Sequence, residues 1–344
     1  MAKIDQYADT PTVQAIYRSY EQARDKAHRP HLGGSQIGHH CDRFLWYQFR
    51  WSDHEEPEGR VLRLFDHGNW EEQRMVKDLR AIGATVYELD PDTGRQFTFT
   101  AFGGHFGISL DGVAVGLPES SKWHALEFKT HNERSFGDLQ RHGVEKSKPQ
   151  HADQMQTGME LADLDRALYL AVNKNTDTLF GERLRRDPKR GEYLLNRAER
   201  VIFTEEPLER VSDRPDWWAC KMCPMYKICH QGGTAEVNCR TCVHSTPMRD
   251  GTWHCARHDK TLSTKEQREG CGYHLMRPDL MGHGKATDAG DDWIEYQNDR
   301  GTFRNGVERA RGVYTSAELR AGEAFPLEQG AEDVRMKFDA EVAG

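Results

Sequence analysis

The segment FGISLDGVAVG (106–116) alternates with period two, which sets Phe106, Ile108 and Leu110 on one side of a strand and Asp111 on the other. In WHALEFK (123–129) the same alternation turns Leu126 and Phe128 one way, and Glu127 and Lys129 the other. Two carboxylates and a lysine thus project from neighbouring strands onto one face. Oxygen ligands so placed hold a hard divalent cation, and an ammonium beside them orients an attacking water and offsets charge at a phosphate. Glu72 adds a third carboxylate on an otherwise apolar helical stripe, where an unpaired charge is costly. Its partner is either a metal at the sheet or an arginine. Gln154, on a later helix, is placed to hydrogen-bond the metal site or the substrate.

Eight cysteines in a chain with no secretory signal suit metal ligands better than disulfides, because the cytosol keeps thiols reduced. They fall into two groups of four. Cys220, Cys223 and Cys229 form C-x2-C-x5-C, which alone reads as a zinc half-site or as buried thiols. Cys41, on a helix expected to pack inward, supplies a fourth thiolate that would clasp the start of the domain to its end. Cys239, Cys242, Cys255 and Cys271 form C-x2-C-x12-C-x15-C, a spacing at which four thiolates close one zinc tetrahedron. His254, His258 and His274 lie nearby and read as ordinary histidines, since four cysteines already suffice.

The elements that must carry these groups follow from periodicity. Helices are expected over 11–28, after Ser35 (Ile37, Cys41, Phe44, Leu45 and Phe49 at helical spacing) and over 62–82, where Phe65, Met75, Val76, Leu79 and Ile82 share a stripe with Gly68 and Glu72. Strands are expected over 84–89, 96–102, 106–115 and 122–129, then a helix over 148–164, strands over 167–173 and 178–184, and a helix over 189–203. That order predicts one mixed-sheet α/β domain over 1–235. Residues 236–280 are cysteine-rich and short of aliphatics, as in a zinc module held by metal rather than by a core. Residues 281–344 scatter Trp293, Tyr296, Phe303, Tyr314, Phe325 and Phe338 among glycines and read as a loosely packed acidic appendage or tail.

With 37% apolar and 30% charged residues over 344 positions, the chain has the composition of a polar globular protein. It has no run of about 18 apolar residues, which argues against a membrane span, and the expected address is the cytoplasm. The formal charge of −8 argues against a generally basic nucleic-acid binder. From residue 283 onward 8 basic residues face 13 acidic ones, so this segment holds −5 of that charge and any DNA site is a local patch. The best patch is the expected turn before the Gln154 helix, with Arg141, His142, Lys146 and Lys148. The basic stretch 182–200 and the arginines and lysines of the second cysteine group are weaker ones.

Taken in order, G-x-x-x-E (Gly68 to Glu72), D-G (Asp111), E-F-K (Glu127 to Lys129) and the helix bearing Gln154 resemble the motifs of the PD-(D/E)xK nuclease superfamily and its RecB-like branch. GSQIGHHCDRFLWY and CKMCPMYKIC extend the likeness to that branch's iron–sulfur group, which includes the CRISPR-associated RecB-like exonucleases, the AddB-type helicase-nucleases and related phage proteins. The resemblance spans roughly residues 33–230. It departs from the family in having Glu72 where His is frequent, and Gly158 where a Q-x-x-x-Y motif has tyrosine.

The resemblance implies a restriction-endonuclease-type mixed sheet flanked by helices. It also implies Mg2+- or Mn2+-dependent DNA cleavage, commonly from single-stranded ends, in recombination, repair or phage DNA processing. Asp111, Glu127 and the Phe128 carbonyl, with Glu72, would hold the metal. Lys129 would be the catalytic lysine and Gln154 its companion, while Cys41, Cys220, Cys223 and Cys229 would hold a [4Fe–4S] cluster. These residues contain no helicase motif, so a helicase or recombination protein is an expected partner, and an oligomer is compatible. The rival reading is a non-catalytic DNA-binding or scaffold subunit, against which the joint retention of Asp111, Glu127 and Lys129 argues.

Overall fold

The computed structural model describes residues 10–322, Lys26 and Glu55 excepted, together with Asp333, Met336 and Lys337. Thr10 accepts the Val13 N–H and Pro11 fills the first turn, so α1 runs Pro11–Ala23 and stops short of residue 28. Strand β1 (Leu32–Gly33) leads through a 3-10 turn to α2 (Asp42–Phe49), whose Phe44, Leu45, Trp46, Tyr47 and Phe49 are buried. Cys41 is the N-cap of α2 and not, as expected, a member of its inward stripe. Helix α3 (Gly59–Ala81) buries Met75, Val76 and Leu79. Phe65 and Ile82, expected on that stripe, are exposed. A 23-residue helix is about 34 Å long, more than the sheet beneath it can cover, and Ile82 lies past its end.

Next come β2 (Thr85–Tyr87), β3 (Thr98–Ala101), β4 (Phe106–Ser109), β5 (Gly112–Val115) and β6 (His124–His131). The stretch expected as one strand over 106–115 is two. β4 pairs with β1 and β3 in one sheet, whereas β5 pairs with β2 and β6 in another. The chain changes sheets at Leu110 and Asp111, and Gly112 permits this with φ +150°. A Cβ there would stand 2.7 Å from the Tyr87 carbonyl oxygen. After β6 comes α4 (Glu133–Ser147), capped by Asn132, in place of the expected turn bearing Arg141, His142 and Lys146. Then follow α5 (Pro149–Ala162), β7 (Arg166–Asn173), β8 (Leu179–Arg185) and α6 (Pro188–Phe203).

The central sheet has the order β2-β5-β6-β7-β8, with only β6 and β7 parallel. α3 covers one face, packing Met75, Val76 and Leu79 on Ala114, Leu126 and Phe128. α4 and α5 cover the other, where Leu139, Val144, Met155 and Met159 meet Ala125, Ala167 and Ala171. This is a mixed α/β fold of the expected class.

Beyond it lie α7 (Trp218–Lys221), α8 (Tyr226–Gln231), and an antiparallel sheet of β9 (Ser245–Pro247), β10 (Trp253–Cys255) and β11 (Lys260–Leu262). After α9 (Thr264–Glu269), strands β12 (Lys285–Gly290), β13 (Trp293–Asn298), β14 (Gly301–Gly306) and β15 (Val313–Tyr314) form a fourth sheet, followed by α10 (Ser316–Ala321). One buried cluster joins Leu45, Trp46 and Phe49 of α2 to Trp253, Leu262 and Met276, and on to Tyr296, Phe303 and Tyr314. The cysteine-rich segment therefore shares a core despite its few aliphatics. Arg240 ties it in: its guanidinium lies 3.7 Å from the Trp51 ring centroid and donates to Gln267 Oε1 and to the Phe49 and Pro30 carbonyls. Residues 285–321, expected to be loose, are mostly sheet and helix; Phe325, Phe338 and most of the acidic segment after 322 lie outside the described residues. No described helix is long and apolar enough to cross a membrane.

Candidate active site

β5 pairs with β6 only from Gly112 opposite Leu126 to Ala114 opposite His124, so the β5-side edge of β6 is open beyond Leu126. Asp111 turns into that gap, where its Oδ2 accepts the Phe128 N–H at 2.8 Å. The N–H and C=O of one strand residue point to the same edge, so the Phe128 carbonyl faces the gap too. On the α5 side, Glu127 is almost wholly buried. Gln154 Nε2 donates to its Oε2 at 2.9 Å, while its Oε1 lies against the Lys129 ammonium without the alignment of a hydrogen bond. Glu72 reaches the gap from α3 and lines, with Asn69, Gln73, Asp111 and Phe128, a cleft of about 300 Å³.

The four charged groups act on one another. Burial first, then the Asp111 charge, lifts Glu72 to about 7 against the pull of Lys129. Burial lifts Glu127 to about 7 as well, opposed by Lys129 and reinforced by Asp111 and Glu72. Asp111 is raised by burial, despite Lys129 and the Phe128 N–H. Burial works to lower Lys129, but the three carboxylates outweigh it and raise the ammonium's pKa. The groups acting on Glu72 are thus Asp111 and Lys129, with no arginine among them.

Ionised together, three carboxylates face one ammonium, and that negative excess on hard oxygen donors fits a divalent cation. Yet among the described residues no three His, Cys, Asp or Glu side chains converge closely enough to hold a metal ion. Glu127 is turned to Gln154 and Lys129, and Asp111 to Phe128, so the carboxylates would have to swing toward a common point.

All eight cysteines are free thiols. Cys41, Cys220, Cys223 and Cys229 line one pocket with Phe44 and Tyr47. Burial pushes Cys223 up to about 11, and Cys41, Cys229 and Cys220 add to the rise, although its backbone contact at Met225 opposes it. Four thiols on one pocket are the number a cluster takes, but among the described residues no three of them converge closely enough to hold a metal ion. In the second group burial pushes Cys239 up to about 12, with Cys242, Cys271 and Cys255 contributing. The expected closed zinc tetrahedron is not formed. Cys239 Sγ donates to the Glu266 carbonyl at 3.4 Å, and Cys271 is exposed with its Sγ 3.6 Å from His258 Nε2. His274 is buried, with Nε2 bonded to Thr241 and the Asn238 carbonyl, and His254 lies by Asp259, as ordinary histidines do.

Of the candidate DNA contacts, Arg141 is tied to Asp138 within α4, Lys146 sits in the last turn of α4, and Lys148 lies at the α4–α5 junction beside His131 and His151. Gly158 packs closely on the core, and a Cβ there would meet Leu110 Cδ2 at 2.9 Å, so a larger residue would have to displace that side chain. Sequence reasoning missed His131, His151 and Tyr169, which adjoin the site. Two residues on from Lys129, and three before Gln154 on a helix, were the signals that place both histidines on the site's face.

No family model matches the chain and no curated protein matches it. Among solved structures, it is similar to SSO0001 at a TM-score of 0.40 and 12% identity, over 64% of this chain and 96% of that one. The alkaline exonuclease LHK-Exo from Laribacter hongkongensis aligns at 0.33 and 16% identity, over 54% of this chain and 90% of its own. LHK-Exo in complex with dAMP aligns at 0.34 and 14% identity, over 55% and 90%.

Proposed function

We propose that the chain is a divalent-metal-dependent nuclease that hydrolyses DNA phosphodiester bonds, acting as an exonuclease on single-stranded ends. One observation carries the reading: Glu72, Asp111, Glu127 and Lys129 act on one another at an open strand edge, with Gln154 holding Glu127. Mg2+ or Mn2+ held by Glu72, Asp111, Glu127 and the Phe128 carbonyl would supply Lewis-acid charge at the phosphate. The Lys129 ammonium offsets negative charge on the phosphate and orients the attacking water. Gln154 keeps the Glu127 carboxylate in one orientation, and the Phe128 N–H does the same for Asp111. The narrower readings go with it: a [4Fe–4S] cluster on Cys41, Cys220, Cys223 and Cys229, zinc on Cys239, Cys242, Cys255 and Cys271, strand contacts from Lys146 and Lys148, and a cytoplasmic role alongside a helicase or recombination protein.

The test is incubation of end-labelled single- and double-stranded DNA, linear and circular, with Mg2+ or Mn2+. Cleavage of linear single strands that is lost in Lys129→Ala is expected. DNA binding without cleavage by the wild type in either metal would overturn the assignment in favour of a non-catalytic DNA-binding subunit.

A further inference from the structure

Next to Glu127 and Lys129 lies a hydrogen-bonded chain that the metal site does not use. Period two along β6 sets His131 on the face of Lys129, and Tyr169 on β7 stands directly across from Glu127 in the parallel register. α5 brings His151 to the same place, one turn before Gln154. His131 Nε2 and His151 Nδ1 both meet the Tyr169 hydroxyl, at 2.8 and 2.9 Å, and His131 Nδ1 meets Ser135 Oγ at 3.0 Å. The His151 and Tyr169 rings stack with centroids 5.8 Å apart. His151 is only partly buried, and its Nε2 bonds to no protein group among the described residues.

The charges acting on the two imidazoles are positive, while Glu127 and Glu182 act on the Tyr169 hydroxyl between them. Burial, then Lys129, His131 and Lys148, lowers His151 to about 3; burial, Lys148 and Lys129 lower His131 to about 4. Both rings are therefore neutral at physiological pH. Lys148 joins no ion pair among the described residues. Lys129 is already paired with Glu127, so the cation and the donor left without a partner here, among the described residues, are the Lys148 ammonium and His151 Nε2.

A phenol has one proton, so Tyr169 donates to one imidazole and accepts from the other. The chain has two orientations. In one of them Ser135 donates to His131 Nδ1, His131 Nε2–H to Tyr169, and Tyr169 to His151 Nδ1. That leaves His151 Nε2–H as a free donor, and an anion at this nitrogen selects that orientation.

We propose that His151 Nε2–H and the Lys148 ammonium bind a phosphate group of the DNA strand next to the one attacked at Lys129, with Tyr169 and His131 as positioning residues. The inference rests on the nuclease reading. It supplies, from β6, β7 and the start of α5, a substrate contact where Gly158 removes the family's tyrosine. The phosphate is either an internal diester or a terminal 5′ monoester.

The test uses single-stranded 12-mers labelled at the 3′ end, with a 5′-hydroxyl or a 5′-phosphate, read by fluorescence anisotropy on the full chain in EDTA. His151→Ala is expected to weaken binding about tenfold, the value of one hydrogen bond to a charged group. Lys148→Ala should also flatten the salt dependence by about 0.7 in log–log slope, as for one phosphate contact on a single strand. Tyr169→Phe, which keeps the stacked ring, should lose part of the affinity, and His151→Gln, which keeps a donor, should recover part. A larger loss with the 5′-phosphate identifies a terminal monoester; equal losses identify an internal diester.

In turnover the same variants should raise KM with little change in kcat. If His151→Ala and Lys148→Ala bind both oligonucleotides within twofold of wild type while Lys129-dependent cleavage persists, the phosphate position is wrong and the nuclease reading stands. If affinity falls as stated but no DNA is cut with either metal, the position stands and the nuclease reading fails. Should His151→Ala lower thermal stability and leave affinity intact, the chain is structural only and the proposal is overturned.

Discussion

Glu127→Gln should remove a pH-dependent loss of stability from the metal-free protein. In the fold Glu127 keeps its proton up to about 7, against 4.5 for the free side chain, with burial the first cause. Between those values the folded state binds more protons than the unfolded one, so stability falls as pH rises through that window and levels off above it. At about 1.36 kcal/mol per pH unit, Glu127 accounts for roughly 3 kcal/mol of the loss. Glutamine keeps a carbonyl for the Gln154 N–H and has no carboxyl to titrate. Urea unfolding in EDTA, followed at pH 4.5 and pH 7.5, should show wild type losing roughly 3 kcal/mol more than the variant across that interval. Glu72 is raised chiefly by burial and by Asp111, both of which the variant keeps, so most of its contribution is common to the two proteins. Adding Mg2+ or Mn2+ at pH 7.5 should then stabilise wild type, by about 2.7 kcal/mol at a hundred times the dissociation constant, and the variant far less. Parallel pH profiles for the two proteins would refute the picture of a buried carboxylate held at a shared charge site.

Asp111→Ala and Lys129→Ala should each abolish cleavage, but calorimetry should show weaker Mn2+ binding only in the former, because the lysine is not a ligand. Gln154→Ala removes the 2.9 Å contact that orients Glu127, and kinetic assays should register a loss of about 10–100-fold. Arg240→Met strands the Gln267 side chain and the Phe49 and Pro30 carbonyls inside the core, so denaturant melts should show roughly 3 kcal/mol or more of destabilisation. Protein prepared without oxygen should carry about four irons per chain by metal analysis, lost in Cys41→Ser, and zinc that disappears when Cys239 and Cys242 are both serine.

Period-two alternation alone identified Glu127 and Lys129 as a pair on one face, and helical spacing put Glu72 on the stripe that packs against the sheet. Cysteine counting separated the thiols into the two groups that the fold also keeps apart, one lining a pocket with Phe44 and Tyr47 and one around β10 and α9. These signals are local, because side-chain direction within one strand or helix is set by its own backbone geometry. Which element stands beside which is not local. Asp111-Gly112 is a turn-type pair, but the run 106–115 does not say that its two halves join different sheets, since both alternate in the same way and only their pairing partners differ. The open edge of β6, which lets Asp111 reach the Phe128 N–H, is a product of that parting.

The partner of Glu72 was undecidable from spacing for the same reason: a stripe states that a charge faces inward, not what it meets there. Tyr169 joins His131 and His151 only because β7 pairs in parallel with β6 and α5 crosses above both. Periodicity within single elements thus named all four charged groups, while the register between distant segments determined that they act on one another.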